Sequence, residues 1–109
     1  MKDHRLIDER SRAFDRLIAE KLRRNPALVD KARANLLRWL QTCDPRSVPD
    51  LREWKRWLDG PLPELLAILE STGERAERLR QSSPFCGILT PAERLAIIRE
   101  FYAREQIAA

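Results

Sequence analysis

Apolar side chains recur three, four and seven residues apart through almost all of this chain, and no stretch alternates apolar and polar residues with strand-like composition. A period near 3.6 puts such residues on one face of a helix, whereas a half-buried strand needs a period of two. The spacing therefore predicts an all-α protein. Residues 3–24 read as a long helix with Ile7, Phe14, Leu17, Ile18 and Leu22 on one face, Ser11 as a small position in the same stripe and Asp3 as a cap. Lys21, Arg23 and Arg24 fall at its C-terminal end, where cations complement the helix dipole.

Punctuation divides the remainder. Asn25-Pro26 is a stop and a restart, with Asn25 as cap and Pro26 at the first position of a helix over about 26–42. Its stripe is Leu28, Val29, Ala32, Leu36, Trp39 and Leu40. Residues 42–50, TCDPRSVPD, are turn chemistry. A helix over about 50–59, capped by Asp50, places Leu51, Trp54 and Leu58 together and ends at Gly60-Pro61. The segment 63–71 is apolar nearly all round and reads as central. Ser71 or Thr72 starts a short helix to Arg80, with Ala76 and Leu79 inward. Residues 81–89, QSSPFCGIL, form a connection, and Thr90-Pro91-Ala92-Glu93 is a capping box opening a last helix to about 106. That helix carries Leu95, Ile98, Phe101 and Tyr102 on one side. Short loops and no internal repeat imply one compact bundle of five or six helices, a single domain over 1–109.

Composition limits function. With 109 residues the chain has enough surface to bury for one core without staples. No apolar run approaches the roughly 18 residues of a membrane span. The opening MKDHRLIDER is too charged for a signal peptide, so a cytoplasmic location is expected. Cys43 and Cys86 make neither a disulfide framework nor a four-ligand zinc site, and Cys86, beside Phe85, reads as a packed thiol. His4 is the only histidine, and Gly60, Gly73 and Gly87 are isolated, so no metal pair or phosphate loop is visible. No nucleophile–base constellation stands out either. The expectation is a non-catalytic protein with no cofactor.

Two surfaces then compete. The chain carries 17 Arg and four Lys against 17 acidic residues, net +4. The excess lies early: residues 1–24 are +3, 25–60 are +2 and 61–109 are −1. Arg12, Arg16, Lys21, Arg23 and Arg24, with Lys55 and Arg56, are the candidate nucleic-acid contacts. Asp8, Glu9, Asp15 and Glu20 on the same turns would repel phosphate, and no helix-turn-helix signature is present. Trp54-Lys55-Arg56-Trp57 interleaves aromatic and basic residues, but Trp54 shares helical spacing with Leu51 and Leu58 and so reads as core. The other surface is the connection after Arg78. Arg78, Arg80, Ser82, Ser83 and Phe85 could face a partner protein, with Trp57 as an anchor. The competing reading of that segment makes Phe85 a plug in the bundle, with Gly87 supplying a positive φ.

The stretch RLRQSSPFCGILTPAERLAIIREF, residues 78–101, resembles the C-terminal segment of a small family of bacterial helical proteins of about this length. Ile7-Asp8-Glu9-Arg10-Ser11, Phe14 and Leu17-Ile18-Ala19 are similar to that family's opening. The resemblance implies a gene neighbourhood containing nucleotidyltransferase-like or other toxin-like proteins, and so an antitoxin-like partner role. It implies no catalytic residues. The resulting expectation is a protein-interaction module acting by occlusion, with nucleic-acid binding through the basic first half as the rival. Homo-oligomerisation through the first helix is a third possibility, although its stripe is not a sustained heptad.

Overall fold

The computed structural model describes the backbone of residues 4–108 and the side chains of residues 5–107. Asp3 and the side chain of His4 lie outside the described residues. Six α-helices, and no strand, occur among the described residues: α1 (His4–Arg24), α2 (Val29–Leu40), α3 (Val48–Asp59), α4 (Leu62–Glu70), α5 (Glu74–Arg80) and α6 (Pro91–Ala108). None is long and apolar enough to cross a membrane.

The helix breaks are the expected ones, but their chemistry differs. Asn25 makes no side-chain cap; Pro26–Leu28 form a 3₁₀ turn before α2 instead. Asp50 does not cap α3, which begins two residues earlier. The cap belongs to Asp44, whose carboxylate accepts the Arg46 backbone N–H at 2.8 Å and starts a 3₁₀ turn over Pro45–Ser47. Neither Ser71 nor Thr72 caps α5; Gly73 precedes it, and Ser71 Oγ accepts the Gly73 N–H at 3.1 Å.

The capping box before α6 is complete. Thr90 Oγ1 accepts the Glu93 N–H at 3.1 Å, and Glu93 Oε1 accepts the Thr90 N–H at 2.7 Å. Lys21 of α1 reaches the same Glu93 oxygen at 2.7 Å. The Lys21 ammonium and the Thr90 donors together hold the Glu93 carboxyl down at about 2. A depressed carboxyl contributes stability above its ordinary value of 4.5 that is lost as pH falls towards 2. Replacing Thr90 with Ala is expected to cost about 1 kcal/mol in urea unfolding, with helix content intact.

Alpha1 is the spine. It packs against both α4 and α6, while α2 packs on α3 and α3 on α4. Glu93 meets Lys21 near the start of α6, and Arg104 lies 3.8 Å from Glu9 near its end, so α6 runs antiparallel to α1. The core joins Ile18, Ala19 and Leu22 of α1 to Ala32 and Leu36 of α2, Leu51, Trp54 and Leu58 of α3, Leu65 and Leu69 of α4 and Leu79 of α5. Trp54 is its largest fully buried side chain. Its indole N–H donates to the Leu79 carbonyl at 2.8 Å, and its ring meets Phe85 edge to face with centroids 5.4 Å apart.

Alpha6 contributes little to this core. Of its expected apolar side only Phe101 is buried; Leu95 is 44% exposed, Ile98 39% and Tyr102 62%. The reason is geometric. A lone helix lying along α1 has one face against it, and no further described element covers the adjacent face of α6.

Candidate partner-binding site

The connection between α5 and α6 is held by side chains from two other helices. Asn35 of α2, itself buried, donates from Nδ2 to the carbonyls of Pro84 and Cys86, both at 2.9 Å. Lys31 Nζ donates to the Gly87 carbonyl at 2.9 Å, and Lys21 Nζ to the Ile88 carbonyl at 2.8 Å. The backbone carbonyls of this connection thus gain donors from far along the chain. Gly87 adopts φ +83°, the left-handed conformation expected of it, where a side chain would be strained. Pro84, Phe85, Ile88 and Leu89 are buried. Cys86, expected to be packed, is exposed instead.

Below this connection sits a buried ion pair. Arg80 Nε donates to Asp15 Oδ2 at 2.9 Å, and the two side chains are only 8% and 7% exposed. Arg80 Nη2 also donates to the carbonyls of Leu69, at 3.3 Å, and Ser71, tying down the end of α4. Burial pushes the Asp15 carboxyl up to about 6, because removing its charge from water outweighs the attraction of Arg80. Arg80 Nη1 is buried with no hydrogen-bond partner.

Asp15 and Arg80 lie in the wall of an open groove of about 1090 Å³ that runs between α1, the 81–90 connection and α6. Phe14 and Ile18 of α1, Phe85 and Leu89 of the connection, and Leu95 and Ile98 of α6 make it apolar. Ser11, Ser83, Thr90 and Arg94 supply polar groups along it. The Arg94 guanidinium lies 5.0 Å from the centre of the Phe14 ring.

This geometry redistributes the residues expected to meet a partner. Phe85 is 3% exposed and packs on Trp54, so it is the plug rather than a contact. Arg80 is spent on Asp15 and on the α4 carbonyls. Ser82 is half-buried with an unpartnered Oγ, and Ser83 accepts the Phe85 N–H at 3.4 Å. Arg78 is exposed but bound to Glu53 at 2.8 Å and to Asp50; with help from Trp57 it holds the Glu53 carboxyl below its usual range. Trp57 is half-buried against the core. Of the six residues, Arg80, Ser83 and Phe85 do border one groove, but as its wall.

The basic first half is largely neutralised. Arg12 pairs with Glu77, Lys21 with Glu93, Arg23 with Glu70 and Glu20, Arg24 with Glu20 and Lys55 with Asp59. Only Arg16 and Arg56 of that set are exposed without an ion pair among the described residues. No cluster of three or more metal-ligating side chains occurs among the described residues.

Sequence reasoning missed the groove's α6 wall and the place of Asp15 in its lining. Leu95 and Ile98 have the spacing of core residues, and nothing local distinguishes a covered helix face from a bare one. Asn35 was equally silent, because its two acceptors are about 50 residues away. Comparison with family models, with curated proteins and with solved structures finds no match for this chain.

Proposed function

We propose that the chain is a non-catalytic protein-interaction module that binds its partner in the α1–α6 groove. The observation that carries this reading is the bare apolar wall of α6. Leu95 and Ile98 are more than a third exposed and line one concave surface together with Phe14 and Leu89. Contiguous exposed apolar surface of this kind marks interaction sites. The proposed mechanism is occlusion, in which the groove takes up a segment of the partner and blocks its site. The antitoxin-like role implied by the family resemblance is the specific form of this proposal, with the partner encoded beside this gene.

The nucleic-acid reading gains less support, since five of its seven cations already have carboxylate partners. Binding phosphate would require breaking those pairs.

The test is affinity capture from extract of the source organism, with nuclease, using the wild-type chain and the Leu95→Glu/Ile98→Glu variant. Both sites are exposed, so the variant is expected to keep its melting temperature within a few degrees. The wild-type chain is expected to retain a stoichiometric, nuclease-resistant protein encoded by a neighbouring gene, and the variant to lose it. Equal recovery by both would remove the groove from the reading. Recovery of nucleic acid alone would reinstate the basic first half.

A further inference from the structure

The groove's electrostatics narrow the kind of segment it can receive, given the reading of the chain as an interaction module. Asp15 and Arg80 face each other at 2.9 Å and cancel, which leaves Arg94 as the uncompensated charge in the lining. Arg94 is exposed and enters no ion pair among the described residues; its guanidinium lies over the Phe14 ring. At the Gly87 end the lining meets a second cation. The Lys31 ammonium binds only the Gly87 carbonyl, again with no carboxylate among the described residues. Arg38, on the same helix α2, is exposed and donates to Asn35 Oδ1, a neutral group. Arg10, Arg16, Arg52, Arg56 and Arg99 are likewise exposed without an ion pair among the described residues, so what sets Arg94 apart is that it lines an apolar groove. The wall adds an unpartnered donor, Nη1 of the nine-tenths buried Arg80.

The shape of the site is that of a trough between helices. Beyond its lining, Ile7 lies one turn from Ser11 on α1 and Tyr102 one turn from Ile98 on α6, and both are exposed. Helix-in-groove recognition uses apolar anchors at i, i+3 or i+4, and i+7 on a helix about 10 Å across.

We propose that the groove receives an acidic amphipathic helix of a partner protein, its apolar face over Phe14, Ile18, Leu95 and Ile98 and a carboxylate against Arg94. A second copy of the chain would offer Arg94 no excess of acid, since its α6 carries Arg94, Arg99 and Arg104 beside Glu93, Glu100 and Glu105.

The probe is a displayed library of 16-residue peptides with Leu fixed at i, i+3 and i+7 and the flanking positions randomised among Asp, Glu, Lys, Arg and Ser. It is selected on the immobilised full chain and counter-selected on the Leu95→Glu/Ile98→Glu variant. The selected peptides are expected to carry a clear excess of Asp and Glu and to shift the amide resonances of Phe14, Leu95 and Ile98. Arg94→Glu is expected to weaken the best acidic peptide at least tenfold while leaving the melting temperature unchanged. Selection of basic peptides, no enrichment over the counter-selection, indifference to Arg94→Glu, or a stable homodimer that closes the groove would each overturn the proposal. If extract capture yields a groove-dependent partner while the library shows no acidic preference, the interaction reading stands and only the charge assignment fails.

Discussion

Replacing Arg80 with Ala is expected to destabilise the chain by about 3–5 kcal/mol, the usual cost of removing one partner from a buried ion pair. Against the 5–15 kcal/mol that holds a typical domain together, that is a large fraction. Two losses combine. Asp15 is left 7% exposed with no cation beside it, and the Leu69 and Ser71 carbonyls lose the donor that ends α4. Urea unfolding followed by far-UV circular dichroism measures the loss. Its pH dependence identifies the cause. Without Arg80 the Asp15 carboxyl rises above 6, so the variant can relieve its buried charge by taking a proton, and the cost is smaller at pH 5 than at pH 8. A cost independent of pH would place the effect in the α4 carbonyls alone.

The wild-type chain carries the complementary signature. The folded Asp15 value, about 6, exceeds its ordinary 3.8. Its contribution to stability is therefore full below pH 3.8 and is lost as pH rises through 6. Asp15→Asn removes that loss, so its stability relative to wild type is expected to grow between those limits. Glu93 acts in the opposite sense below its ordinary 4.5, and comparison at matched pH cancels it.

Phe85→Ala is expected to cost a similar amount, about 3–5 kcal/mol, as truncation of a buried aromatic leaves a cavity that neighbours fill only in part. Phe85 stands edge-on to Trp54, whose N–H is pinned to Leu79, so the indole cannot follow into the space without giving up that bond. The near-UV signal of Trp54 should weaken together with the urea midpoint. An unchanged midpoint would show that Phe85 is not part of the core. The Arg80→Ala/Phe85→Ala double variant is thus expected to lose helicity, and any loss of binding it shows would report unfolding. Surface variants at Leu95, Ile98 and Arg94 address binding without that ambiguity.

Much of the fold was legible in the amino-acid order. The 3.6-residue periodicity is a local consequence of helix geometry, and it marked the helices and most of the core, Trp54 and Leu58 among them. The Thr90–Glu93 capping box and the left-handed Gly87 were legible for the same reason, because their partners or dihedrals lie within three residues.

What lay beyond the sequence was every relation between distant segments. Arg80 looked like a free cation until folding set it beside Asp15, 65 positions away. The basic first half looked available until Glu70, Glu77 and Glu93 closed on it. Leu95 and Ile98 looked buried, since a period records which residues share a face and not whether anything packs against that face. Local order is written in nearest-neighbour sterics and hydrogen bonding, whereas burial, pairing and exposure depend on which helices meet, and that the tertiary structure alone decides.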